Sequence, residues 1–275
     1  MPGKVYLVGA GPGDPELLTL KALRVLHSAD VVLHDALIGP EILALIPRIA
    51  KAENVGKRCG MKSARQQDIN QSLINYARLD LQVVRLKGGD PLIFGRGGEE
   101  IVALRQANID FEIVPGITAA LGAAASARIP LTHRDIASSL LILASHRSKS
   151  GETASWPSPL PKNSTLVIYM PGHDYESVAR KLVDNGIAGT TPCAIVSQAT
   201  SPEESVFVTT IKRLAGSPRL IAPNLLVVGA VAALADHRSL HAAVHAAHDQ
   251  DFSQTEFFAR EYPQGGTSAI QEQAK

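Results

Sequence analysis

Val5-Tyr6-Leu7-Val8 is a β-rich run that stops at Gly9-Ala10-Gly11-Pro12-Gly13-Asp14-Pro15 and resumes as a helical pattern carrying Leu17, Leu20, Leu23 and Leu26. A strand that breaks at glycines and re-emerges as a helix commits the segment to a strand–loop–helix unit. Asp14 followed by Pro15 predicts an N-cap and then N1 of that helix. The unit recurs. Asp30 to His34 predicts a second strand, and Gly39-Pro40 opens a short helix. Ser63-Ala64-Arg65-Gln66 reads as a capping box for a helix carrying Ile69, Leu73, Ile74 and Ala77. Val83 to Leu86 predicts a strand that runs into Lys87-Gly88-Gly89-Asp90-Pro91. Gly97 to Asn108 predicts a helix and Phe111 to Val114 a strand. Strands alternating with helices predict an α/β fold with a largely parallel sheet.

A second series follows, with strands expected at Ser139 to Ala144, Leu166 to Met170, Cys193 to Val196, Val206 to Thr209 and Leu225 to Val228. A helix is expected over Tyr175 to Asn185. The Pro115-Gly116 break marks a junction, giving an N-terminal α/β domain over 1–116 and a C-terminal α/β domain over 117–238. Ser148 to Asn163 reads as a surface loop. From Asp249 onward Gln, Ser, Glu and Gly dominate, so 239–275 is expected to be a tail, flexible or docked as an arm.

Composition narrows the function classes. The net charge of +1 creates no overall field toward nucleic acid or an anionic membrane, so neither is expected as a partner. The apolar stretch Ala222 to Ala235 is too short to span a bilayer. No apolar signal region stands at the start of the sequence, and Cys59 and Cys193 are isolated, which predicts a reducing, cytoplasmic setting and no disulfide framework. His237, His241, His245 and His248 share a helical face that could bind Zn²⁺ or Ni²⁺, but no supporting ligand context accompanies them and no metal is expected.

The two glycine loops constrain the ligand. The first has glycines at 9, 11 and 13, with Asp14 where a dinucleotide fingerprint has its third glycine. Pro12 and Pro15 lack N–H donors and Asp14 adds negative charge, so a pyrophosphate is disfavoured. A tight turn that only caps a helix remains the plain alternative. The second loop offers Gly88 and Gly89 for close approach and Asp90 as an acceptor for an ammonium or ribose hydroxyl. Two phosphate-averse loops at carboxyl ends of strands suit a nucleoside with a cationic part, which S-adenosylmethionine is. Just beyond, Glu99 and Glu100 fall in a helix's first turn, where the macrodipole favours them, and Arg96 stands at the same end, where it is disfavoured. Lys57, Arg58, Lys62 and Arg65 form a basic cluster in a nearly neutral chain.

VYLVGAGPGDPELLTLKALRVLHSADVVLHD, VVRLKGGDPLIFGRGGEE and VPGITAALGAAASARIPLTHR resemble the uroporphyrinogen-III C-methyltransferase branch of the class III tetrapyrrole methylase family. TLVIYM, SQATSPEE and APNLLVVG match less closely, and together the segments span residues 5 to 230. The resemblance implies two α/β domains flanking a cofactor cleft, usually in a homodimer. It implies methyl transfer from S-adenosylmethionine to C2 and C7 of uroporphyrinogen III, through precorrin-1 to precorrin-2, with S-adenosylhomocysteine as the other product. No segment matches the dehydrogenase–chelatase domain fused in some siroheme synthases, so the reaction is expected to stop at precorrin-2. By the same resemblance Pro12 lines the cofactor site; Gly88, Gly89, Asp90 and Ile93 hold the methionine part; Thr118, Ala119 and Met170 surround the nucleoside; and Ala199 makes a main-chain contact. Asp35 and Lys57 take proton-transfer roles, and Arg96, Glu99 and Arg134 lie near the tetrapyrrole. His34, Ala199 and Ala230 depart from the residues usual at their positions. The residue types suit the chemistry: a methylated pyrrole carbon must lose a proton, for which Asp35 or Glu99 could serve, and arginine forks suit a substrate with many carboxylates. A dinucleotide-dependent dehydrogenase and a non-enzymatic nucleoside sensor are the readings from other classes, and within the fold the alternatives are later precorrin methyltransferases, diphthine synthase and a ribosomal-RNA ribose methyltransferase.

Overall fold

The computed structural model describes residues 3–56, 65–145 and 156–235. Lys57, Arg58, Cys59, Lys62, Ser63, the four-histidine face and the 239–275 tail lie outside the described residues. The chain divides into two units, Met1–Ala123 with Gln198–Glu203, and Ala124–Ser197 with Glu204–Lys275.

The first unit is built on β1 (Lys4–Gly9), β2 (Val31–His34), β3 (Lys51–Asn54), β4 (Gln82–Lys87) and β5 (Phe111–Val114). They form one sheet in the order β3-β2-β4-β1-β5, with every neighbouring pair parallel. Parallel neighbours need crossovers, which α1 (Leu20–His27), α2 (Pro40–Leu43), α3 (Gln66–Ala77) and α4 (Gly97–Gln106) supply. Strand side chains alternate between faces. Val8, Val32, Val84, Leu86 and Val114 pack with α1 and α2, whereas Val5, Leu7, Val31, Leu33 and Val83 pack with α3 and α4. α5 (Ala119–Ser126) follows β5, and the division between the units falls inside it. Gly116, the last residue of the expected first domain, donates its N–H to Asp90 of the same unit (3.1 Å).

Three local expectations are corrected. Asp14 does accept a hydrogen bond from the Glu16 N–H (2.8 Å), but it caps only a three-residue 3-10 turn, Pro15–Leu17. Thr19 caps α1, accepting from the Ala22 N–H (3.1 Å), and the face α1 buries is Ala22, Val25 and Leu26 while Leu20 is 83% exposed. At α3 the N-cap position is Arg65, whose backbone N–H donates to Asp68 Oδ2 (3.0 Å). β3 and α5 gave no clear sequence signal: β3 is a charged edge strand of four residues, KAEN, and α5 is mostly alanine, with a leucine, a glycine and a serine.

The second unit holds β6 (Ser139–Ala144), β7 (Ser164–Tyr169), β8 (Pro192–Ser197), β9 (Ser205–Thr210) and β10 (Asn224–Val228), in the order β6-β7-β10-β8-β9. Only β6 and β7 pair in parallel; the other three pairings are antiparallel, so the largely parallel arrangement holds for the first sheet alone. The reason is connection length and content. β8 returns to β9 through a short loop with no helix, which permits only antiparallel pairing. α6 (Tyr175–Asp184) carries the chain from β7 to β8, and β10 inserts between them. Tyr175, Val178 and Leu182 of α6 close the core over Leu166, Ile168, Ile195 and Leu226. Part of the expected surface loop is core as well: Trp156 and Leu160 are buried, and the Trp156 indole N–H donates to the Ala144 carbonyl (3.0 Å).

Candidate functional site

In the first unit β1 and β4 lie side by side, yet the loop leaving β1 leads to α1 on one face and the loop leaving β4 leads to α4 on the other. Loops that part in this way open a crevice at the carboxyl edge of a parallel sheet. Glycine makes the crevice narrow at its base. Gly11 N–H donates to the Gly89 carbonyl (3.2 Å) and Gly89 N–H to the Gly11 carbonyl (2.7 Å). Both residues have positive φ, +77° and +66°. A Cβ at Gly9 would sit 2.5 Å from the Gly116 nitrogen and 2.6 Å from the Gly89 oxygen. Asp90 ties the same loops together: Oδ1 accepts from the Leu92 N–H (2.8 Å) and Oδ2 from the Gly116 N–H (3.1 Å).

Several expected binding residues gather here. Gly89 abuts the start of α5, where a Cβ would lie 3.5 Å from the Ala119 nitrogen and 3.8 Å from the Thr118 Cα. Pro12 packs on Gly122 of α5. Asp14 N–H donates to Thr200 Oγ1 (3.1 Å), which brings the Gln198–Glu203 segment, and Ala199 with it, against the first loop. Gly88 is exposed, with open space where a Cβ would be, and Ile93 is at the surface. The phosphate-averse reading gains a physical basis. The first N–H of the turn is taken by Asp14, Pro12 and Pro15 have none, and α1 starts only at Leu20. Such a donor-poor loop suits an uncharged or cationic group better than a pyrophosphate.

Beside the crevice lies an ionic network that includes Asp35. The register sets Val31 beside Val83 and Leu33 beside Arg85, and Asp35 follows directly after the end of β2. Arg85 spans the group: Nη2 pairs with Asp35 Oδ1, Nε donates to Glu100 Oε1 (2.9 Å), and Nη1 donates to the Leu33 (3.2 Å) and Leu86 (3.1 Å) carbonyls. Lys87 Nζ lies 3.0 Å from both oxygens of Glu100, and Gln66 Nε2 donates to Oε1 (3.3 Å). The Glu100 side chain is 0% exposed, Lys87 2% and Arg85 4%, whereas Asp35 is 30% exposed. Burial, reinforced by the Arg85 charge, pushes the Lys87 ammonium below its ordinary pKa, and Glu100 and Asp35 pull it back. Arg85, Lys87 and Glu100 carried no site role in the sequence. The available signal was two cations at alternate positions of an otherwise apolar strand, which place both on one buried face.

Glu99 and Glu100 read alike in sequence but part in the structure. Glu99 is exposed and holds Arg96 in a two-pronged pair, Nε to Oε1 at 2.7 Å and Nη2 to Oε2 at 2.8 Å. That pairing raises the Arg96 guanidinium above its already high ordinary pKa. Arg96 is the N-cap of α4 with φ +58°, a left-handed conformation uncommon for a residue other than glycine. Met170 and Arg134 belong to the second unit: Met170 follows β7 with φ +52° and is 46% exposed, and Arg134 is exposed on the turn closed by the His133–Ala137 pairing. Lys57 lies outside the described residues. Among the described residues no cluster of three His, Cys, Asp or Glu could hold a metal ion, and no helix is long and apolar enough to cross a membrane.

The sequence profile of the tetrapyrrole (corrin/porphyrin) methylases matches residues 4–215. A siroheme synthase 2 of Aeromonas hydrophila is 47% identical over 233 residues, 84% of this chain and 50% of that protein. A siroheme synthase of Actinobacillus succinogenes is 48% identical over 235 residues, 85% of this chain and 49% of that protein. The chain thus spans about half the length of the curated relatives it matches. Among solved structures, a uroporphyrin-III C-methyltransferase from Thermus thermophilus superposes with a TM-score of 0.72 at 44% identity, covering 85% of this chain and 95% of that one. A structure of uroporphyrin-III C-methyltransferase from Thermus thermophilus with S-adenosylhomocysteine gives 0.71 at 37% identity, covering 83% and 93%.

Proposed function

Because the chain belongs to the tetrapyrrole (corrin/porphyrin) methylase family, we propose that it transfers methyl groups from S-adenosylmethionine to ring carbons of a tetrapyrrole. The substrate is uroporphyrinogen III, methylated at C2 and C7 through precorrin-1 to precorrin-2. The observation that carries the reading is the donor-poor glycine crevice, built for close backbone approach and unsuited to phosphate. Its relatives in sequence and structure supply the substrate class.

S-adenosylmethionine supplies an electrophilic methyl on a sulfonium centre. The chain's own work is alignment and proton transfer. In this reading Pro12 lines the cofactor site, Thr118 and Ala119 surround the nucleoside, Ala199 makes a main-chain contact, and Gly88, Gly89, Asp90 and Ile93 hold the methionine part. Asp35 receives the proton lost from the methylated pyrrole carbon: Arg85 holds its Oδ1, and its side chain remains partly exposed. Arg96, paired with Glu99, and Arg134 meet substrate carboxylates. The assignments of Lys57, Met170 and Arg134 come from the family resemblance, as does a homodimer, and the cytoplasmic setting comes from the isolated cysteines.

Anaerobic incubation of the protein with S-adenosylmethionine and enzymatically generated uroporphyrinogen III tests the reading. The expected product carries two added methyl groups, with two equivalents of S-adenosylhomocysteine. Tight S-adenosylhomocysteine binding without methyl transfer would overturn the enzyme in favour of a nucleoside sensor.

A further inference from the structure

We propose that Arg85 is the positioning residue for the Asp35 carboxylate, and that buried Glu100 acts on the reaction only through Arg85. The proposal rests on the reading of Asp35 as the proton acceptor.

Every described contact of the guanidinium limits its freedom. Nε is held by Glu100, and Nη1 by two carbonyls on different strands, Leu33 and Leu86. With the plane fixed at these points, Nη2 is left aimed at Asp35 Oδ1. Asp35 itself stands just beyond the last residue of β2, anchored by its N–H to the Leu86 carbonyl (3.1 Å). Its carboxylate is therefore located by one buried arginine on one side and by the backbone on the other.

Stability alone does not explain the arrangement. Burying Arg85, Lys87 and Glu100 carries a desolvation cost that close-packed apolar side chains would avoid. Val83 on the same strand face shows that the position accepts an apolar residue one step away. The charges balance, two cations against two carboxylates, but only one of the four, Asp35, reaches solvent appreciably. The interior charge thus serves to hold a partly exposed carboxylate in one orientation. Catalytic geometry is sensitive to such placement: an error of about 1 Å can cost on the order of a hundredfold in rate.

The test is a double-mutant cycle in the full chain, comparing Asp35→Asn, Glu100→Gln and the pair, with Arg85→Lys alongside. The readouts are kcat and KM with S-adenosylmethionine and uroporphyrinogen III, S-adenosylhomocysteine affinity, and the melting temperature. Glu100→Gln is expected to lower kcat by roughly ten- to a hundredfold, leaving S-adenosylhomocysteine affinity within about twofold. Because Glu100 acts through Asp35, the double variant should be no slower than Asp35→Asn alone. Arg85→Lys keeps the charge but lacks the fork that bridges two carboxylates, and should lose kcat in the same way. If Asp35→Asn is slow while Glu100→Gln and Arg85→Lys turn over normally, or if the losses in the cycle multiply, the positioning role is overturned and the functional reading stands. If Asp35→Asn turns over normally, Asp35 is not the acceptor and both fall. Should Glu100→Gln fail to fold, the same cycle with Arg85→Lys in its place decides.

Discussion

Pro12 rests on Gly122: a Cβ added at Gly122 would come within 2.6 Å of both the Cβ and the Cγ of the proline ring. The first loop and α5 therefore meet at a distance only glycine allows, and a rigid ring on the loop side leaves little room to yield. This contact sets how far the donor-poor turn stands from the N-terminus of α5, where Thr118 and Ala119 lie.

Gly122→Ala is expected to push the Pro12 turn outward. Overpacking of this kind costs about 1–3 kcal/mol. S-adenosylhomocysteine affinity should fall by at least about tenfold, equivalent to about 1.4 kcal/mol. Calorimetry and thermal melting check it; unchanged affinity would show that the loop position does not govern binding.

S-adenosylmethionine or S-adenosylhomocysteine should bind without a metal and more tightly than NAD. The turn's first N–H is occupied by Asp14 and two prolines lack one, so a pyrophosphate meets few donors there. Titration calorimetry in excess EDTA, with NAD as the competitor, measures both. Loss of binding in EDTA, or preference for NAD, counts against the reading.

Arg96→Ala should impair turnover of uroporphyrinogen III more than it affects S-adenosylhomocysteine binding or melting. The Arg96–Glu99 pair is about half exposed on both sides, so its contribution to stability is about 0–1 kcal/mol. A charge-assisted contact to a substrate carboxylate is worth roughly 1.5–3 kcal/mol, about ten- to a hundredfold in kcat/KM. Normal turnover at low substrate would leave Arg96 as a surface charge.

Cys193 should resist thiol reagents at pH 8 in the folded protein. Burial pushes its thiol up to about 12, from an ordinary value near 9.0. The sign follows from which state keeps the proton. Above pH 9 the unfolded chain loses it while the folded chain retains it, so this group's stabilising contribution is intact below pH 9 and falls as pH rises toward 12. The slope is about 1.4 kcal/mol per pH unit. A Cys59→Ser variant isolates the signal, and rapid labelling without denaturant would contradict the burial.

Period and punctuation alone made most of the architecture readable. Phe111–Val114 and Ser139–Ala144 coincide with β5 and β6, and the other apolar runs were located to within a residue or two, because buried strands concentrate apolar side chains between turn residues. β3 was not readable, since an edge strand exposes charged side chains and its pairing with β2 is a backbone matter. α5 was hidden for the opposite reason: alanine and glycine give no polar face to mark a period.

The sequence by itself determined the strand–loop–helix units, the glycine turns and the scarcity of phosphate donors in the first of them, because these are local properties of residue type. Only the tertiary structure decided the antiparallel pairings of the second sheet, the meeting of Pro12 with Gly122, and the difference between Glu99 and Glu100. Adjacent residues on a helix point about 100° apart. Which of two neighbouring carboxylates is buried against Arg85 and which faces water is therefore set by how α4 is rotated against the sheet, a relation between elements distant in sequence.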